Sequence, residues 1–412
     1  MRNVLPLFVF IDACGWEIIR DDPFARTFAP CRKRVRSVLG YSSACVPSIV
    51  SGRWPSEHRN WSYFVYDPAN SPFKSLEVLR WLPRAVTTRR RFRQLVSKLV
   101  KRRLDFRGYF DLYNIPFRHI SLYDFSEKKS PLRPGGMNRG KNIFDFLEEN
   151  RIPYHASAPE ATEEENLNSA VRAIESGSPD FAFVYWPGLD ALLHRTGNRS
   201  PQIGEKLRAY EGWIERLIEV ARRRHKEVRL YIFSDHGMAN CEEVLDLKAK
   251  IDGLPLMAGK DYAVVYDSTM ARFWFFSERA RSLITSRLGL VQEGRILGKS
   301  ELVEQGVYFP DGYFGELIFL VREGVLIVPS DMGERPISGM HGYHPDDKHS
   351  YAMICTNLND IPEEVSAIPH FFNVMMREAI MAKESNAGSD SRGAVATKWP
   401  LVPEFAASKQ EV

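Results

Sequence analysis

Residues Arg229–Met238 read RLYIFSDHGM. Leu230 to Phe233 form a short, unbroken apolar and aromatic run. It stops at Ser234 and is followed at once by Asp235, His236 and Gly237. A run of this length reads as a strand buried on both faces, the kind found in sheets covered by helices on each side. An adjacent Asp and His at a strand end, before a Gly, is an uncommon combination. It draws attention to strand ends elsewhere in the chain.

Three further runs have the same form: LFVFID (Leu7–Asp12), FAFVYW (Phe181–Trp186) and YAMICTN (Tyr351–Asn357). Amphipathic helical patterns lie between them, in GKNIFDFLEENRIPY, EEENLNSAVRAIESG and IGEKLRAYEGWIERLIEVARRRHKE. Alternating strands and helices imply an α/β sheet with helices on both faces. Ligands of such sheets bind at the carboxyl ends of the strands, where Asp12 and Asp235 fall. Two segments break the rhythm. About 66–131 is aromatic and basic. From 244 to 339 the chain has strand and helix signals of its own and reads as an inserted cap. The expected organisation is a catalytic core over 1–243 and 340–382, with the insertion at 66–131, the cap at 244–339 and a disordered, Gly/Ala/Ser-rich tail over 383–412. There are no internal repeats.

The 412 residues are 44% hydrophobic and 26% charged, an ordinary globular composition, and the net charge of +4 gives no general argument for nucleic acid. Five scattered cysteines (Cys14, Cys31, Cys45, Cys241 and Cys355) lack CxxC spacing. They fit reduced thiols in a cytoplasmic protein better than a disulfide framework. The apolar run Val4–Ile11 is too short for a signal peptide core that ends in Asp12, and no run is long enough to span a membrane.

Four patches carry candidate chemistry. They are Asp12, the i,i+4 pair Asp190 and His194 in PGLDALLHRTG, Asp235/His236, and His341, His344 and His349 in MHGYHPDDKH. Each alone reads as a turn, a cap or a solvated face. Together they make a nitrogen and oxygen donor set suited to zinc, and also to manganese or iron. A metal pair clamps an in-line phosphoryl displacement. The hydroxyl to be activated is sought in GYSSACVPSIVSGRWPSEH (Gly40–His58).

The ordered set resembles the alkaline phosphatase superfamily, and within it the type I phosphodiesterase/nucleotide pyrophosphatase branch. Ser42 lies ten residues before Gly52 of SGRWPSEH, which matches the branch's T/S-G-x-x-P-x-x-H signature. Asp12, Asp190/His194, SDHGM and HGY at His341 follow the family order. The resemblance implies a three-layer α/β/α sandwich of alkaline phosphatase type with an inserted cap. It implies Ser42 as nucleophile. Asp12, Ser42, Asp235 and His236 would hold one metal ion, and Asp190, His194 and His341 the second. Two Zn2+ ions are expected, with Mn2+ as the variant. Ser43 is the competing hydroxyl, and His58, His344 and His349 are surplus to the ligand count. Relatives usually have Thr at the nucleophile, Asn three residues on and Gly after the signature His. Here these are Ser42, Cys45 and Arg59, which makes Cys45 the candidate for substrate contact.

The implied activity is hydrolysis of phosphodiester or pyrophosphate bonds in a small, nucleotide-like substrate. The alternatives are a phosphomonoesterase, a phosphonate hydrolase, phosphoryl transfer to an alcohol, and a non-catalytic binding protein of the same fold. A sulfatase is disfavoured because Ala44 stands where its signature needs Pro. Arg80–Arg107 holds eleven Lys or Arg and one acid. Its stretch FRQLVSKLVKRRL places Phe92, Leu95, Val96 and Leu99 on one helical face. Such a helix either packs on the core or meets an anionic partner, which is a polyanionic substrate or a membrane surface that would make the protein membrane-peripheral; nucleic acid is the weaker reading.

Overall fold

The computed structural model describes residues 2–387. Its central sheet has six strands: β1 (Arg2–Ile11), β2 (Cys31–Val35), β3 (Tyr154–Ala156), β4 (Phe181–Trp186), β5 (His225–Phe233) and β6 (Ala352–Thr356). Their spatial order is β2-β6-β5-β1-β4-β3. β1 pairs in parallel with β4 and β5, and β3 with β4, while β6 runs antiparallel to both β5 and β2. Side chains alternate across a strand, and β1 uses both sides. Leu5, Leu7, Val9 and Ile11 enter one core with helices Glu163–Ser176 and Pro201–Arg224. Phe8 and Phe10 enter the other with helices Ser42–Ser51, Ile143–Glu149 and Phe371–Asn386. Two apolar cores, one on each face, make the three-layer α/β/α sandwich of the alkaline phosphatase type. Each fully buried Phe or Leu contributes about 1.5–3 kcal/mol.

β2 (CRKRV) escaped the reading of apolar runs because it is an edge strand. Its three bases interrupt the apolar pattern: Arg34 is exposed, while Arg32 and Lys33 are half-buried and donate to the carbonyls of Ile19 and Pro362. Charge on an edge strand protects it from pairing with other chains. The helix Phe371–Asn386 reaches into the segment expected to be a tail. Asn386 Oδ1 accepts hydrogen bonds from the N–H groups of Asn3 and Val4 and so ties the helix end to β1. The rest of that segment, from 388, lies outside the described residues.

Between the SDHGM and HGY motifs the chain builds an antiparallel four-stranded sheet. Its order is Tyr262–Tyr266, Met270–Phe275, Leu317–Val321, Gly294–Ile296. Ala263, Val265 and Trp274 from this sheet pack with Phe73, Phe110 and Phe125 from the aromatic segment and with Phe64 just before it. The two insertions, remote in sequence, thus share one core. Arg272 and Asp267, both in the later segment, anchor it to the chain at Phe64. Both side chains are fully buried, and Arg272 Nε donates to Asp267 Oδ2 at 2.7 Å. Arg272 Nη1 also donates to the carbonyls of Phe64 and Phe314. Such a pair gives little net stability but is costly to break on one side.

The helix Arg90–Arg103 corrects the expected face. Its buried residues are Arg93, Val96, Ser97 and Val100, while Leu95 and Leu99 point to solvent. Polar anchoring sets the rotation. Arg93 donates to the carbonyls of Thr87 and Ile115 and lies over the Phe117 ring. Ser97 donates to Asp111 and accepts from Leu112 N–H.

Candidate active site

β1, β4 and β5 are parallel neighbours, so their carboxyl ends meet at one edge of the sheet. Asp12 follows β1, and Asp235 and His236 follow β5. Asp190 and His194 share one side of helix Gly188–Thr196, which leaves β4. β6 runs the other way, so the loop before it returns to the same edge and carries His341. Met340 pairs with Ala239, which places His341 against the SDHGM turn. Glycine is required in that turn. A Cβ on Gly237 would lie 2.3 Å from the His349 carbonyl oxygen. Gly342 sits at φ +87° with the Tyr41 ring against it, which only Gly adopts without strain.

The donors form two groups. Asp12, Asp235 and His236 lie with one donor atom each within 4.8 Å of one another, and so do Asp190, His194 and His341. The His236 and His341 rings stack at 3.7 Å and join the groups. His236 Nδ1 is 2.9 Å from the Gly237 carbonyl, and His194 Nδ1 is 2.9 Å from that of Gly339. Each Nδ1–H donated there leaves Nε2 free to face carboxylates, the orientation used by metal-binding imidazoles. Nε2 of His236 is 3.1 Å from Asp235 Oδ2, and Nε2 of His194 is 3.3 Å from Asp190 Oδ1.

Burial raises the Asp12 carboxyl well above its ordinary range, and the Asp235 and Asp190 charges add to this. Burial works against charging His236, but Asp235, Asp12 and Asp190 outweigh it and lift its pKa to about 10. Asp12 Oδ1, Asp190 Oδ1 and Asp235 Oδ2 are buried without a hydrogen-bond partner. Three converging carboxylates with unsatisfied oxygens fit divalent cations, which would replace the missing partners and offset the repulsion.

Ser42 opens the helix Ser42–Ser51, and its Oγ lies 3.1 Å from His236 Nε2. The neighbouring hydroxyls are engaged elsewhere. Ser43 donates to the Trp61 carbonyl, Ser48 to that of Ala44 and Ser51 to that of Pro47. His58 is buried against Ser48 Oγ at 2.9 Å, and burial brings its pKa down to about 3, with Arg53 adding to the effect. Gly52 ends the helix at φ 68°, and Arg59 takes the left-handed φ of 61° that favours Gly. Arg59 offsets that strain by pairing with Asp311 and lying over the Tyr313 ring, both in the other insertion. Cys45 does not reach the cavity. It is fully buried beside Ser37 Oγ and the Val38 carbonyl, and burial pushes its pKa far up. His349 pairs with Glu323, and His344 with Glu301 and Asp346, outside both donor groups.

The donors open into a cavity of about 570 Å³ that also meets Tyr109, Tyr113 and Glu127 of the aromatic segment, Leu326 and Ile327 of the 244–339 segment, and Met340 just after it. Reading the sequence missed these walls, and it missed two positioning groups. Tyr185 donates to Asp12 Oδ2 at 2.6 Å. Glu163 holds the turn before Asp190 through Gly188 N–H, Tyr210 and Lys206. Tyr185 had a visible signal in the sequence, since it is the one hydroxyl-bearing residue of the apolar run FAFVYW.

Burial pushes the Glu127 carboxyl up to about 8. An unfolded chain releases this proton near pH 4.5, whereas the folded protein holds it to about pH 8. The folded state therefore binds more protons across that window, and stability falls as pH rises through it. Glu127→Gln should gain stability over wild type with rising pH, on the order of a few kcal/mol at pH 8 and little at pH 4. Urea unfolding at both pH values measures the gap; a gap that does not change with pH would reject it.

This fold and donor set define a metal-dependent hydrolase of phosphoester bonds in the alkaline phosphatase superfamily. The family model for type I phosphodiesterase/nucleotide pyrophosphatase matches residues 40–344, and the chain belongs to that family. The fold is similar to human ectonucleotide pyrophosphatase/phosphodiesterase 5, with a TM-score of 0.63 at 14% identity over 92% of this chain and 95% of that one. The murine counterpart, an inactive variant in complex with AMP, gives 0.63 at 15% identity over 92% and 95%. Phosphonoacetate hydrolase from Sinorhizobium meliloti, in complex with phosphonoformate, gives 0.64 at 12% identity over 92% and 96%. Among the described residues no helix is long and apolar enough to cross a membrane.

Proposed function

We propose that the protein hydrolyses phosphodiester or pyrophosphate bonds of a small, nucleotide-like substrate through a covalent intermediate on Ser42. The observation that carries this reading is the Ser42 hydroxyl, which stands at a helix N-terminus 3.1 Å from His236 Nε2, beside both donor groups. Asp12, Ser42, Asp235 and His236 would hold one divalent cation, and Asp190, His194 and His341 the other. Imidazole and carboxylate donors without thiolate suit Zn2+, and Mn2+ next. Two cations there would lower the pKa of the hydroxyl and neutralise charge growing on the phosphoryl group.

Ser42 Oγ attacks phosphorus in line. The bond from phosphorus to the leaving oxygen breaks as the bond to Oγ forms, and the serine proton passes to solvent. The first N–H groups of the helix have no partner within it and favour the negative phosphoryl oxygens. Tyr185 fixes the Asp12 carboxylate, and the departing group occupies the part of the cavity walled by Tyr109 and Tyr113. Water then cleaves the Ser42–phosphoryl bond and restores the hydroxyl. The five cysteines are free, which suits a reducing, cytoplasmic setting. Membrane-peripheral contact is argued below.

The test is a substrate panel with Zn2+ or Mn2+, containing bis-p-nitrophenyl phosphate, p-nitrophenyl phosphate, a nucleotide-sugar and p-nitrophenyl sulfate. Diester or nucleotide-sugar turnover well above the monoester is expected. A strong monoester preference would overturn the diesterase reading. Phosphoryl transfer to an added alcohol would replace hydrolysis as the reaction.

A further inference from the structure

Arg91, Leu95, Lys98, Leu99, Arg102 and Arg103 are spaced three or four apart along helix Arg90–Arg103, so they share one side of it. All six are exposed, Leu95 by 57% and Leu99 by 60%. Arg93 and Lys101 are engaged with backbone carbonyls and Arg107 with Asp105. Among the described residues, the four bases around the two leucines make no ion pair. Of the thirteen exposed large hydrophobic residues among the described residues, five (Val78, Trp81, Leu82, Leu95 and Leu99) lie between positions 78 and 99, and Leu95 and Leu99 share this helix face.

We propose that this face docks the protein on the surface of an anionic phospholipid bilayer. Leucines set among unneutralised bases match such a surface. The apolar side chains enter the headgroup boundary while the bases meet lipid phosphates. Contacts to a nucleic acid backbone would use the bases and leave the leucines without a role. The docking face and the cavity belong to one packed unit, because Ser97 and Asp111 fix the chain that continues into Tyr113 of the cavity wall.

The experiment is co-sedimentation of the full chain with phosphatidylcholine vesicles, with and without about 30% phosphatidylserine, at low and high salt. Binding to the anionic vesicles alone, reversed by salt, is expected. Each base near the surface strengthens binding by about five-fold, so R91E/K98E/R102E should weaken it by at least about a hundred-fold. L95E/L99E should weaken it by about ten-fold or more. Thermal unfolding of both variants should match wild type, since every altered side chain is exposed. No binding to anionic vesicles would overturn the proposal. So would leucine variants that bind as wild type, or tighter binding to DNA or polyphosphate than to vesicles. None of these readouts depends on hydrolysis, so the proposed activity stands or falls separately.

Discussion

Ser42→Ala is expected to lower phosphodiester turnover by on the order of a thousand-fold or more, the scale seen when a nucleophile is removed. The change deletes one oxygen from a half-buried side chain. The carboxylates and imidazoles of both donor groups keep their own supports: Tyr185 on Asp12, and the Gly237 and Gly339 carbonyls on His236 and His194. Metal content and thermal stability should therefore stay close to wild type while kcat collapses. Rapid acid quenching of the wild type with excess substrate should trap phosphorus on Ser42, and the variant should trap none. Ser43→Ala is the matched control. The Ser43 hydroxyl donates to the Trp61 carbonyl and is buried. Its loss should cost stability, about 1 kcal/mol for one hydrogen bond, with kcat within a few-fold of wild type. Normal turnover in Ser42→Ala, or collapse in Ser43→Ala, would reverse the assignment.

Those two serines show where reading the sequence alone stops. The ten-residue offset to Gly52 favoured Ser42, and helix geometry supplies the physical difference, with one hydroxyl at the open N-terminus and the next turned into the core. The central sheet was legible because strands covered on both faces must be continuously apolar, as in Phe181–Trp186 and Leu230–Phe233. The basic edge strand Cys31–Val35 carries no such signal. Asp12, Asp235 and His236 were visible because strand ends are punctuated by polarity. Tyr109, Tyr113 and Glu127 were not, because they reach the cavity only through packing between insertions that are far apart in sequence. The helix Arg90–Arg103 was legible as a helix but not in its rotation, since a buried Arg93 runs against apolar periodicity. Burial brings its pKa down to about 10, and its N–H groups donate to the carbonyls of Thr87 and Ile115.

Asp190→Asn should lower turnover by more than about a hundred-fold, because altering even an outer partner of a metal ligand costs 10–100-fold. The substitution keeps the shape of the side chain and removes one charge. The remaining donors of its group would be His194 and His341, two neutral imidazoles, which are too few to satisfy a divalent cation. The other group keeps Asp12, Asp235 and His236 intact. Metal analysis after dialysis should therefore fall from about two equivalents per chain toward one, rather than to none. Asp235→Asn should empty the other group, while its amide Oδ1 can still accept from the N–H groups of Ala13 and His236. If both lost all metal, the groups would act as one shared site. If neither lost any, the converging carboxylates would serve another purpose, and the two-metal reading of this edge of the sheet would fall.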